Sequence, residues 1–281
     1  MMKKTTIYLF AIISVLSSCT ERIDIDLDET YTRLVVYGMI TTDTTTHFIE
    51  LSKTTDYYYN EAPPPVTGAS VEISDDQGNV YELTESEPGK YATTPAFAAV
   101  PGLTYTLRIE LDEEINGHSI YMASSGINPI YPIDSIGLVH QPDWGEEGFY
   151  EVTCYYQDPP TKDFYLFNIY KNNELLTDTI NERFATDDEF YNGNYTNGIG
   201  VGFLDQSVPA EVLNPGDVVT FQALSITEEY YDFIVTLQTE TGFQTPLFSG
   251  PPSNIKSNIN NGAVGFFTAC ATSYSSKVFQ P

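Results

Sequence analysis

Basic residues are scarce in this chain. Its 12 Lys and Arg stand against 39 Asp and Glu, for a formal charge of −27 over 281 residues. Such a surface repels nucleic acid and anionic lipid, so no nucleic-acid partner is expected, whereas cations and basic partners are tolerated or attracted. Histidine is scarcer still. His47, His118 and His140 are scattered and give no His-Glu-x-x-His metalloprotease spacing. No Gly-x-Ser-x-Gly nucleophile elbow occurs, and no Gly-x-x-x-x-Gly-Lys phosphate loop. Paired carboxylates could hydrolyse glycosides, but among 39 acids a pair carries no information. The chain is therefore read as a non-enzyme without a cofactor. Beyond the amino-terminal segment no apolar run approaches the roughly 20 residues that a spanning helix requires.

Cysteine is equally rare: Cys19, Cys154 and Cys270. The last two suit either one bridge or two buried thiols, since both sit in apolar, strand-like runs. Cys19 has another context. Lys3 and Lys4 precede an apolar core from Ile7 to Leu16, followed by Leu16-Ser17-Ser18-Cys19. This reads as a secretory signal over residues 1–18, ending in a bacterial lipobox whose Cys is acylated and becomes the mature amino terminus. Removing Lys3 and Lys4 takes the charge from −27 to −29. Residues 19–33 follow as an acidic tether, with Glu21, Asp24, Asp26, Asp28 and Glu29. Extended, it spans about 50 Å, enough to lift a folded body clear of the headgroups. The expected location is the outer membrane, held by lipid and facing the exterior.

What the chain does have is a 41% hydrophobic content and short alternating segments parted by turns. Strands are expected at 34–40, 47–53, 68–74, 80–84, 91–94, 103–111 and 120–123, with a hairpin turn at Asn116-Gly117. That spacing argues for an immunoglobulin-like β-sandwich over 34–125. A Pro-containing linker follows at 126–134. A second β-rich domain is expected over 135–281, with strands at 135–140, 149–156, 164–171, 174–180, 217–226, 263–271 and 272–279. It contains one helix near 227–239: Thr227 is the N-cap, Glu228 and Glu229 suit the positive end of the dipole, and Ile226, Tyr230, Phe233, Ile234 and Leu237 recur at helical spacing. The fold class is thus mainly β, with a sandwich followed by a β-rich domain carrying one helix.

Two kinds of residue could form a site. Aromatic loops on a β-body mark contact surfaces, which points to Tyr57, Tyr58 and Tyr59, to Trp144, and to Tyr191 and Tyr195. Calcium takes oxygen ligands from Asp, Asn and carbonyls. Asp187, Asp188, Glu189, Asn192 and Asn194 lie in one Gly-containing loop and form the calcium candidate, with Asp75, Asp76 and Asn79 behind it; neither has an EF-hand pattern.

Several segments together resemble a known family: Leu34-Val35-Val36-Tyr37-Gly38-Met39-Ile40-Thr41-Thr42-Asp43, Pro64 to Ile73, Pro101-Gly102-Leu103-Thr104-Tyr105, Pro251 to Ile255, Ser257-Asn258-Ile259-Asn260-Asn261-Gly262, and Gly265-Phe266-Phe267. The chain resembles the Bacteroidota outer-membrane lipoproteins grouped as the domain of unknown function family 4249. The resemblance implies a lipoprotein working beside a TonB-dependent outer-membrane transporter, as a binding or accessory subunit for nutrient uptake. It supplies no catalytic residues. The competing expectations are an adhesin or structural surface protein, and a calcium-dependent hydrolase.

Overall fold

A computed structural model describes residues 32–55, 61–242 and 254–280. Among the described residues the fold is mainly β, 50% strand and 6% helical. Residues 32–281 cluster as one compact unit. The signal segment, Cys19, residues 20–31 of the tether and Tyr57 to Tyr59 lie outside the described residues.

The first strands are β1 (Leu34–Thr41), β2 (Phe48–Lys53), β3 (Ser70–Asp75), β4 (Val80–Glu87), β5 (Lys90–Thr93), β6 (Thr104–Ile115) and β7 (His118–Gly126). Period-two alternation is plain in β6, where Tyr105, Leu107, Ile109 and Leu111 point inward and are buried. Asn116 and Gly117 both take positive φ, 51° and 76°, and close the β6–β7 hairpin as expected. The strands lie in the order β1-β2-β5-β4-β3-β6-β7. Their inward side chains form one apolar cluster, so the sheet curls around its own core.

The later elements are β8 (Ser135–Gln141), β9 (Phe149–Tyr155), β10 (Phe164–Lys171), β11 (Glu174–Leu175), β12 (Phe184–Asp187), β13 (Ile199–Asp205), β14 (Val218–Ile226), α1 (Glu228–Thr241) and β15 (Val264–Val278). The two closing strands expected at 263–271 and 272–279 are a single strand of 15 residues. Its length has a reason. Val264 to Cys270 pair in parallel with β1, and Ala271 to Val278 pair antiparallel with β14. One strand therefore carries hydrogen bonds across both expected β-regions. The boundary at 126–134 separates apolar clusters but does not separate sheets. Ile259, Ala263, Phe267, Ala269 and Ala271 complete the first core from the far end of the chain.

The curled sheet closes through side chains. Asn258 Nδ2 donates to Phe267 O at 2.7 Å, and Asn258 Oδ1 accepts from Phe267 N at 3.0 Å. Met122 N donates to Asn260 Oδ1 at 2.8 Å, Asn261 Nδ2 donates to Ile120 O at 2.8 Å, and Ala269 N donates to Ser125 Oγ at 3.0 Å. The Asn-rich segment thus mimics a strand between β7 and β15.

Strand β10 is buried on both faces, which explains its nearly unbroken apolar sequence. Phe164 and Leu166 face α1 together with Leu224, Ile226 and Phe266. Tyr165, Phe167 and Ile169 face a separate three-stranded sheet, ordered β13-β9-β8. The helix begins where the sequence indicates: Thr227 Oγ1 accepts from Tyr230 N at 3.3 Å, and Tyr230, Phe233 and Ile234 are buried. Cys154 and Cys270 are free thiols in different clusters, on opposite faces of the large sheet. Burial pushes each up to about 12.

Three differences from the sequence reading stand out. The strand expected at 174–180 shrinks to two residues, and β12 and β13 were not anticipated. The segment Ile199-Gly200-Val201-Gly202-Phe203-Leu204 carries the signal for β13 in its glycine–apolar alternation. Gly202 leaves room for the Ile169 side chain, whose Cδ1 would lie 2.3 Å from an added Cβ.

Candidate ligand cleft

The open side of the second sandwich forms a cleft of about 330 Å³. One wall is β13, from Val201 to Asp205, with Phe149 on β9 behind it. The opposite wall is built from Phe167 and Ile169 on β10, Leu176, Thr177, Glu182, and Phe184 on β12. Val208 and Glu211 close one end. At the rim Phe203 and Phe184 are each 47% exposed. Trp144, in the β8–β9 turn, lies against Phe203 with ring centroids 5.5 Å apart. Partly exposed rings over an apolar floor mark a place where a ligand can replace water.

The polar groups of the cleft are mostly engaged. Asp205 Oδ1 accepts from Ser207 N at 2.8 Å and Ser207 Oγ at 2.7 Å. Glu211 Oε2 accepts from Asp205 N at 2.6 Å. Burial holds the Glu211 carboxyl above the usual carboxylate range, against the opposing hydrogen bond from Asp205 N, while the Asp205 charge raises it further. Thr177 Oγ1 accepts from Ile169 N at 3.3 Å and donates to Asn168 Oδ1 at 3.5 Å. Among the described residues no Lys, Arg or His lines the cleft.

The residues expected to form a site fall in different places. Trp144 belongs to the cleft rim. Tyr195 is 41% exposed on the loop before β13, beside the Asp134 carboxylate. Tyr191 turns inward, its ring centroid 6.3 Å from that of Tyr156, because the loop folds back onto the second core. The most exposed aromatic of that loop is Phe190, 95% exposed after Asp187, Asp188 and Glu189. Tyr57, Tyr58 and Tyr59 lie outside the described residues.

The acidic loop is held by a residue that the sequence reading missed. Asp158 is buried. Its Oδ1 accepts from Tyr165 OH at 3.0 Å and Tyr156 OH at 3.3 Å, and its Oδ2 accepts from Gly193 N at 3.0 Å. Asp158 N donates to Asn194 O at 3.1 Å. Asp188 is fully buried, and neither carboxylate oxygen has a hydrogen-bond partner. Its backbone carbonyl accepts from Tyr191 N at 2.9 Å and Asn192 N at 2.8 Å. Asp187 is half-buried and accepts from Glu189 N, while Glu189, Asn192 and Asn194 point into solvent. Among the described residues no three His, Cys, Asp or Glu side chains form a group able to hold a metal ion.

The fold and the cleft define a mainly β protein with a ligand-sized opening beside β13. The chain belongs to the DUF4249 family, a domain of unknown function, which matches residues 20–276. No curated protein matches it. Among solved structures it is similar to a DUF4785 family protein from Legionella pneumophila, at 14% identity and a TM-score of 0.25. That alignment covers 70% of this chain and 54% of the other. It is also similar to a candidate carbohydrate binding protein from Bacteroides uniformis, at 13% identity and a TM-score of 0.18, covering 69% and 88% of the two chains. This chain spans about half the length of the Legionella protein.

Proposed function

We propose that this protein is a non-catalytic binding or accessory subunit, lipid-anchored at Cys19 on the outer face of the outer membrane and working with a TonB-dependent transporter. The observation that carries the binding role is the cleft: an apolar floor, two half-exposed phenylalanines and the chain's single Trp at one opening. A catalytic reading would have to recruit Asp205 and Glu211, the carboxylates closest to a pair there. Both already accept hydrogen bonds that shape the 205–211 turn. That favours binding over hydrolysis.

Affinity purification from gently solubilised outer membrane tests the assignment. A co-purifying transporter is the expected result, and Cys19→Ala is expected to appear in the soluble fraction, still folded. Retention of Cys19→Ala on the membrane after a carbonate wash would overturn the anchor. Glycan or peptide hydrolysis abolished by Glu211→Gln would overturn the non-catalytic role.

A further inference from the structure

The five consecutive residues Val201 to Asp205 all border the cleft. Side chains on a strand alternate between faces, so a run of neighbours meets one space only where the strand presents its edge. Strand β13 pairs with β9 on one side, and among the described strands nothing pairs with its other edge.

Asp205 N donates to Glu211 Oε2, so it points away from β9. Gln206 N donates to Gly148 O at 3.1 Å, on the β9 side. In an antiparallel ladder the direction alternates residue by residue. Leu204 therefore bonds to β9, and the N–H and C=O of Phe203 face the cleft. Glu211 ends the free edge by capping Asp205. Exposed donors and acceptors of this kind are templates for another strand.

The lining sets the occupant's chemistry. Thr177, Asp205 and Glu211 already hold hydrogen bonds to the protein, which leaves few free polar side chains to meet the hydroxyls of a sugar. Phe167, Ile169, Leu176 and Phe184 offer apolar seats on the opposite wall. Glu182, Asp205 and Glu211 supply the lining charge, and the nearby Lys171 ammonium donates to the carbonyls of Ala210 and Val212. An acidic segment, including this chain's own Ile23 to Asp28, is repelled and a basic one attracted.

We propose that the cleft binds an extended peptide segment with alternating apolar and basic side chains, added as a strand to the free edge of β13. The proposal rests on the cleft being the ligand site and adds the class of ligand. Backbone pairing at Phe203 gives affinity, the apolar wall selects alternate side chains, and the carboxylates favour positive charge.

The single Trp supplies the readout, because Trp144 lies against Phe203. Intrinsic fluorescence is titrated with an octapeptide of alternating Lys and Val, with its Glu–Val counterpart, and with a neutral hexose oligosaccharide. The Lys–Val peptide is expected to bind and the Glu–Val peptide not to. Two N-methylated forms of the Lys–Val peptide then separate strand addition from charge attraction. One is methylated at the Val amides and the other at the Lys amides, so each blocks a different edge at unchanged charge. One form is expected to bind about tenfold more weakly than the other. Equal affinity of the two forms would overturn the proposal. On the protein side Phe203→Pro is expected to bind about tenfold more weakly than Phe203→Ala, since both lack the ring and only proline lacks the N–H. If Phe203→Pro does not fold, the methylated pair decides alone. Binding of the oligosaccharide without the peptide would overturn the peptide class and leave the cleft as a site. No change in Trp144 with any probe would overturn both.

Discussion

Asn258 offers the sharpest test of how the fold is closed. Its carboxamide takes both backbone groups of Phe267, a fully buried residue, through bonds of 2.7 and 3.0 Å, and also reaches Ser124 O at 3.3 Å. Asn258→Ala removes all three. A hydrogen bond contributes about 1 kcal/mol net, and a donor or acceptor left unpaired away from water costs about 1–3 kcal/mol. The side chain is only half-buried, so water recovers part of that loss. The expected destabilisation is about 2–3 kcal/mol, or roughly 4–12 °C in Tm for a domain of this size. Urea unfolding followed by circular dichroism measures it, with an unchanged m-value showing that only stability moved. Asn258→Asp keeps the acceptor for Phe267 N but sets a second acceptor against Phe267 O, so it should be no better than alanine. A loss below about 0.5 kcal/mol for alanine, the level of an ordinary surface change, would refute the reasoning. So would an aspartate variant as stable as the wild type.

Burial first, then the nearby Asp158 and Asp163, raise the Asp188 carboxyl above its ordinary range. Its folded pKa therefore exceeds the unfolded one, and the stability it contributes at low pH is lost as pH rises through the folded value. Asp188→Asn should stabilise the protein at pH 7 by about 1–2 kcal/mol and lose that advantage near pH 4; an equal or lower midpoint at pH 7 would refute this. If millimolar calcium raises the wild-type Tm and leaves the variant unmoved, the loop holds a cation instead. Burial holds His47 below its usual range, against the opposing pull of the Phe97 carbonyl and Asp43, and its Nε2 lies 2.9 Å from Phe97 O. With the folded pKa depressed, stability present above the unfolded value is lost as pH falls through the folded one. His47→Gln should flatten the stability profile below about pH 6.5, and profiles that stay parallel would refute it. Gly265 has φ 102°, and a Cβ there would lie 1.9 Å from Val36 O. Gly265→Ala should cost more than about 3 kcal/mol, whereas Gly262→Ala, with 3.6 Å of clearance, should cost about 1 kcal/mol. Similar melting temperatures for the two would contradict the parallel β1–β15 contact.

Most strands were legible because one face of each is wet. Strand β6 reads as alternation, and β10 reads as an apolar run bounded by polar residues. The helix was legible because its cap, its acidic first turn and its buried stripe all lie within one segment. The cleft was only partly so. Trp144 drew attention as the single Trp, but Phe203 and Phe184 are ordinary strand residues until two distant strands face each other. Asp158 looked like one acid among many, and its role as anchor of the acidic loop depends on Tyr165 and Gly193. Tyr191 looked like an exposed loop aromatic and packs inward, while Phe190 beside it projects. Sequence neighbours on an irregular loop have no fixed alternation to tell them apart.

By itself the sequence determined the class of fold, the helix and its cap, the β6–β7 turn and the family resemblance. These are local properties, set by periodicity, capping and turn chemistry within about 15 residues. The tertiary structure alone decided that β15 joins both β-regions, that Asn258 closes the curled sheet, and that the free edge of β13 faces an apolar wall. The first rests on contacts up to 230 residues apart and the second on Asn258 reaching Ser124, 134 residues away, while the third sets strands that do not pair with each other face to face, and no local pattern encodes which edge a strand will find.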